Sequence, residues 1–193
     1  NGLTLHGGII AYGGTFLTPD GKSALDRPAA LEAAKALVAT NPYALPTPLE
    51  TRFEEGLPAF LGGKVRFIEF WSDLGVYAQD PKGSQIVDKW GVTRIPVGGS
   101  NKDPRLALNA GFAFAVSSGS QKKEAAWELI KFAASPKYQE ELITLTGSGI
   151  DPDRTSLLYS EKYKAFAPQV QAALAGALEN ALPWPTTPET PKL

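Results

Sequence analysis

The sequence predicts an α/β fold, in which strands and helices alternate along the chain and pack in layers. Three observations carry this. Apolar runs rich in Val, Phe and Ile occur at 64–71 and 91–97, each closed by polar or glycine residues. Stretches with helical spacing lie between and after them. The clearest unit joins both kinds: Asn109-Ala110-Gly111-Phe112-Ala113-Phe114-Ala115-Val116 runs through a Ser117-Ser118-Gly119-Ser120 turn into Gln121 to Ala134. The first part reads as a buried strand. The second reads as a helix, with Ala126, Leu129, Ile130 and Ala133 on one face and Ser120 as its cap.

Taken in order, Asn1 to Gly14 carries five glycines around Ile9-Ile10 and is expected to be a partly ordered loop. Pro19-Asp20-Gly21-Lys22 is a turn. Asp26 is placed to cap a helix that has Pro28 in its first turn and runs to Val38. Residues 41–48 hold three prolines and form a loop. Leu49 to Gly62 is helical, with a kink or short break expected at Pro58. Residues 72–80 form a short helix or loop. Ser135-Pro136 ends the helix of the central unit and begins another, with serine at the cap and proline at the first helical position. Gly147 is placed to end that second helix. Ser160 to Phe166 and Pro168 to Asn180 are helical, and 182–191, with four prolines, is extended.

Composition removes several function classes. With 19 basic and 20 acidic residues the net charge is −1, so no overall field favours nucleic acid or an anionic membrane. Cysteine is absent, which excludes disulfides, thiolate catalysis and cysteine-based zinc sites. A single histidine, His6, argues against a Ser-His-Asp triad or a multi-histidine metal site. No cofactor and no metal are therefore expected. No run of about 20 apolar residues exists to span a membrane. Methionine is absent and the chain begins at Asn1, so the sequence reads as an internal piece of a longer protein.

Four blocks in order carry a resemblance. They are Phe16-Leu17-Thr18-Pro19-Asp20-Gly21-Lys22; Phe60-Leu61-Gly62-Gly63-Lys64-Val65-Arg66-Phe67-Ile68-Glu69-Phe70-Trp71; Trp90-Gly91-Val92-Thr93-Arg94-Ile95-Pro96 leading to the central unit; and Thr146-Gly147-Ser148-Gly149-Ile150-Asp151-Pro152-Asp153-Arg154 with Leu182-Pro183-Trp184-Pro185 after it. Together with Lys122-Lys123-Glu124-Ala125-Ala126-Trp127 and Ser135-Pro136-Lys137-Tyr138-Gln139, they make the chain resemble the sugar-type, maltose-binding-protein-like solute-binding proteins of ABC importers. The resemblance covers the chain from about Gly13 onward. It implies part of a periplasmic-binding-protein-like (type II) two-lobe fold. Residues 1–100 would belong to the second lobe, 101–147 to a return segment of the first lobe, and 148–193 to the second lobe again.

The resemblance also suggests where a solute would sit. Trp71 matches a family tryptophan that offers a flat apolar face to a sugar ring, with Glu69 or Asp73 accepting hydroxyl hydrogen bonds. Packing in the core is the alternative for Trp71. Gly111-Phe112 matches a cleft-lining pair, where glycine lets backbone approach a ligand and Phe112 is equally readable as core. Asn109 is a weaker candidate, and Arg154 matches a family arginine near the cleft or hinge. Trp127 reads as packing.

The implied function is capture of a sugar, oligosaccharide or polyol between two lobes and delivery to permease subunits, in the periplasm or outside the cell. A lipid anchor preceding Asn1 is compatible with it. The missing segments of the protein would be further partners. A non-transport carbohydrate-binding or sensor module is an alternative. An enzyme would need a carboxylate pair of the glycosidase kind. Glu54-Glu55 and Glu140-Glu141 are adjacent pairs on helices and read as solvated surface instead.

Overall fold

The structure, a computed structural model, describes residues 2–103, 108–109, 111–179 and 181–183. Helices dominate it: α1 (Gly2–Ala11), α2 (Pro28–Ala39), α3 (Phe53–Leu61), α4 (Leu74–Ala78), α5 (Lys123–Ala133), α6 (Pro136–Ile143), α7 (Thr155–Leu158), α8 (Glu161–Phe166) and α9 (Pro168–Leu178). Among the described residues the only sheet is a parallel pair, β1 (Leu108–Asn109) with β2 (Leu182–Pro183), in the register Leu108 to Leu182 and Asn109 to Pro183. The tail expected to be extended lies outside the described residues beyond Pro183.

The expected loop at the start is in fact helix α1. Glycine costs a helix interior about 1 kcal/mol relative to alanine. Packing outweighs that cost here, because Ile9, Ile10 and Ala11 are buried and Ile9 packs with Ala30 and Ala33 of α2. The helices pack closely at Gly8, where a Cβ would make an ordinary contact with the Ala33 Cβ at 3.6 Å. Beyond Ala11 the chain turns at Gly13, where φ is +78°, and Asn101 Nδ2 donates to the Ala11 carbonyl at 2.9 Å.

Some expected caps hold and others do not. Ser135 Oγ accepts the Tyr138 N–H at 3.4 Å to start α6, and Ser160 Oγ accepts the Tyr163 N–H at 3.2 Å to start α8. Pro28 opens α2, but its N-cap is Arg27 and no side chain caps it, so Asp26 does not serve. Ser120 Oγ accepts the Lys122 N–H in the turn before α5 rather than capping the helix itself. The second helix ends at Ile143, ahead of Gly147, and Thr144 Oγ1 at its C-cap donates to the Glu140 carbonyl at 2.8 Å. Gly147, with φ +76°, shapes the turn that follows. Pro58 sits within a continuous α3. Its missing N–H leaves the carbonyl of exposed Glu54 open to water, so no break is needed.

The apolar runs at 64–71, 91–97 and 111–116 are not strands in a ladder. Phe67, Val92, Phe112 and Phe114 are exposed, as are Trp127, Leu129 and Phe132 on α5. Trp127 is therefore not packed against the described residues, and the described part of the central run is not buried by them. A strand needs hydrogen-bonding neighbours and a covered face, and the described residues supply neither to these runs.

The largest core cluster joins Ile143, Leu157, Leu158, Tyr163, Ala167 and Val170, with Trp90, Phe166, Leu174 and Ala175 against it. Helix α4 docks on α9 through Gly75, where an added Cβ would fall 2.2 Å from Val170 Cγ2 and 3.0 Å from Trp90 Cη2. Trp90 is fixed by its Nε1 donating to Gln79 Oε1 at 2.8 Å. Gly75→Ala is expected to overpack this contact and destabilise the fold by about 1–3 kcal/mol. Denaturant unfolding checks it: a midpoint equal to that of the unmodified protein would contradict the packing.

Candidate functional site

The run 64–71 ends in an aromatic group. The Phe70 and Trp71 rings meet edge-on at 5.2 Å, and Phe53 of α3 stands 5.2 Å from Phe70 and 6.0 Å from Trp71. Trp71 is held at its sides but remains 53% exposed, which leaves ring surface open to solvent. An anchored ring with a free face can take up the C–H side of a polyhydroxylated molecule.

Directly after Trp71 the chain becomes polar and half-buried. Ser72 Oγ donates to the Asp151 carboxylate across 79 positions of sequence. Asp73, at the start of α4, is half-buried. Gly149 closes over it with φ +60°, and a Cβ there would fall 2.1 Å from the Tyr77 hydroxyl and 3.4 Å from Asp73 Oδ2. Glycine suits the position: its φ is left-handed, and a side chain there would have to displace the Tyr77 hydroxyl. Tyr163, wholly buried on α8, brings its hydroxyl near Asp151 without completing a hydrogen bond of good geometry. Asp73 Oδ1, Asp151 Oδ1 and the Tyr163 hydroxyl are each buried with no hydrogen-bond partner among the described residues.

Electrostatics follow from this burial. Desolvation raises the pKa of Asp73, and the neighbouring Asp151 charge raises it further. Desolvation also raises Asp151, against the lowering effect of Ser72 and Tyr163. Burial lifts both tyrosines, Tyr77 and Tyr163, with the charge of Asp73 adding to the first and that of Asp151 to the second. Burial alone raises Glu69.

The remaining candidates lie apart from Trp71 and Asp73. Glu69 turns its carboxylate against α1, with Oε1 3.0 Å from the position of a Cβ on Gly7. Gly111 has open space around it and Phe112 is fully exposed. Asn109 is in β1, opposite Pro183, and its side chain lies outside the described residues. Arg154 sends Nη2 to the Ala134 carbonyl at 2.7 Å, at the C-terminal end of α5, where a positive charge meets the negative end of the helix dipole. Ser72, Asp151, Tyr77 and Tyr163 were not singled out as site residues by the sequence. Their side chains meet only through tertiary packing, and a Gly-Ser-Gly-Ile-Asp turn gives no periodic signal. No cluster of three or more His, Cys, Asp or Glu residues able to hold a metal occurs among the described residues.

Comparison with known proteins bears on this arrangement. Residues 1–140 match the model of the bacterial extracellular solute-binding protein family. The chain belongs to that family. Among solved structures, this family member superposes on maltose-bound MalE3 of T. maritima with a TM-score of 0.84 and 26% identity, over 98% of this chain and 48% of that one. It superposes on an ABC transporter solute-binding protein of Agrobacterium radiobacter K84, in complex with ribitol, with a TM-score of 0.79 and 26% identity, over 91% of this chain and 44% of that one. A probable ABC transporter-binding protein of Deinococcus radiodurans is 27% identical over 176 residues, 91% of this chain and 40% of its own length. The chain thus spans under half of the relatives it matches, and over that span it has the fold of the two-lobed type II solute-binding proteins. The family is one of transport proteins, not an enzyme class.

Two outcomes follow for the charged candidates. Glu69 has a raised folded-state pKa, so the folded protein takes up its proton more readily than the unfolded one. Its contribution to stability is largest below the ordinary carboxylate value and is lost as pH rises through the raised value. Glu69→Gln is expected to flatten stability between about pH 7 and pH 4, and unfolding midpoints across that range check it; an unchanged slope would refute it. Arg154→Ala is expected to cost about 0.5–1.5 kcal/mol by losing its bond to the α5 terminus, measured by chemical denaturation; no loss would mean that the bond is not made in solution.

Proposed function

We propose that this protein is the ligand-capturing component of an ABC importer and binds a sugar or polyol. The observation that carries the reading is the half-exposed Trp71 ring, braced by Phe70 and Phe53 and followed at once by Ser72 and Asp73. A flat apolar face beside hydroxyl-accepting oxygens is what a polyhydroxylated solute requires. Likeness to the maltose-bound and ribitol-complexed proteins supports the same ligand class. Glu69, Gly111, Phe112, Asn109 and Arg154 are retained as further ligand contacts in a closed two-lobe state. No covalent step is part of the proposal: the solute is held by contact and released to permease subunits, in the periplasm or outside the cell.

The lobe assignment belongs to the same reading. Residues 1–100 and 148–193 are assigned to one lobe and 101–147 to the other, with α6 packing across that boundary through Ile143. The segment from Gly111 to Ala134 supports this, because it adds no residue to the buried clusters and carries Phe112, Phe114, Trp127 and Phe132 exposed. Such a face suits cover by another part of a larger protein.

The test is Trp71→Ala, with maltose and ribitol as probes in titration calorimetry. Loss of a stacking face is expected to remove about 1–3 kcal/mol of binding, a ten- to hundredfold weaker affinity, with unfolding little changed. A variant that loses several kcal/mol of folding stability would instead make Trp71 a packing residue. Unmodified protein that binds neither probe nor any related sugar or polyol would sink the ligand class.

A further inference from the structure

We propose that Asp151 is a positioning residue of the solute site: it takes the hydroxyl hydrogen of Ser72 and so presents Ser72 Oγ, between Trp71 and Asp73 in the chain, as an acceptor for solute hydroxyls. This role rests on the reading of Trp71, Ser72 and Asp73 as solute contacts, and Asp151 acts on the solute only through them. Ser72 Oγ donates to Asp151 Oδ2, and a hydroxyl has one hydrogen to give. An ionised carboxylate only accepts, so the direction of the bond follows from the chemistry of the pair. Lone pairs are what remain on Ser72 Oγ, and a solute hydroxyl that reaches them must donate.

Asp151 is itself held from the core side. Tyr163, with no exposed surface in the apolar cluster of α6 to α9, turns its hydroxyl to the same carboxylate. Asp151 Oδ1 is shut off from solvent, and the nearby Arg154 gives its guanidinium to the Ala134 carbonyl instead. A line of groups therefore runs from the core through Tyr163 and Asp151 to the half-exposed Ser72. A hydroxyl fixed in this way loses little freedom when a solute arrives, which favours binding. The charge of Asp151 also bears on Asp73. Desolvation raises the pKa of the Asp73 carboxyl, and the Asp151 charge adds to it. Tyr77 and Tyr163, the other titratable groups facing this pair, are raised as well and stay neutral. Without the charge at 151, Asp73 remains ionised, and able to accept from a solute, down to a lower pH.

The experiment is titration calorimetry with ribitol and maltose on the unmodified protein, Asp151→Asn, Ser72→Ala and the double variant, from about pH 7.5 down to about pH 4.5. Asp151→Asn keeps the shape of the side chain, but its carboxamide can turn an N–H to Ser72 and no longer fixes the hydroxyl. It is expected to weaken the probe that binds about tenfold at the upper pH. Ser72→Ala is expected to lose a similar factor, and the double variant no more than either alone, because Asp151 acts through Ser72. The fall in affinity on acidification is expected at a lower pH in Asp151→Asn than in the unmodified protein, a shift that mere bracing of the fold does not produce. Unmodified protein that binds neither probe overturns the ligand class and this role with it. Where the unmodified protein binds, equal affinity in Asp151→Asn overturns the role of Asp151 alone. So does a double variant whose loss multiplies the two single losses, or an acid limb that stays in place. Should Asp151→Asn fail to fold, Tyr163→Phe decides: it removes the hydroxyl that faces Asp151 from a buried ring that no solute reaches. A severalfold weaker probe supports the role, and unchanged affinity overturns it.

Discussion

One packed contact organises the described chain: the ring of Tyr163, enclosed with Ile143 among Leu157, Leu158 and Val170. Each large apolar side chain removed from water contributes about 1.5–3 kcal/mol, and this cluster draws on residues from α6 through α9. Its outer wall is Trp90, which with Val170 receives Gly75. Docking α4 in this way carries Asp73 and Tyr77 against Gly149 and brings Ser72 onto Asp151. The polar group is thus a consequence of apolar packing beneath it, and Trp71 takes its position from the same docking.

Local signals in the sequence located most helices because those signals are themselves local. Serine before α6 and α8 has a hydroxyl that reaches an N–H three residues on, whatever the rest of the chain does. Proline at the start of α2, α6 and α9 fits the first turn for an equally local reason. The glycine-rich start was misread because α1 owes its helicity to α2, and no window of ten residues contains that partner. The apolar runs 64–71, 91–97 and 111–116 have strand composition, but strand structure also requires neighbours. The family likeness was legible from four ordered blocks, and it gives the α/β two-lobe setting to which such runs belong.

At the candidate site the exposed aromatic was readable and its polar surroundings were not. Trp71 stands out as a tryptophan ending an apolar run beside Ser and Asp, a pattern contained in three residues. Asp151 is 79 positions from the serine that bonds it, and Tyr163 is separated from Asp151 by α7 and from Ser72 by α4 to α7. Arg154 shows the opposite limit, since matching a family position said nothing of the Ala134 carbonyl that its guanidinium meets.

The bond between Ser72 and Asp151 also has a bearing on the order in which the protein acquires its structure. Closing a loop of that length is entropically unfavourable, and the cost is met only when contacts around it form together. Helices α1 and α2, neighbours in sequence joined by residues 12–27, can associate early. The α4 region must wait until α6 to α9 have been synthesised and assembled beneath it. The aspartates therefore spend the early part of folding hydrated and ionised, and lose their water in one of the last steps.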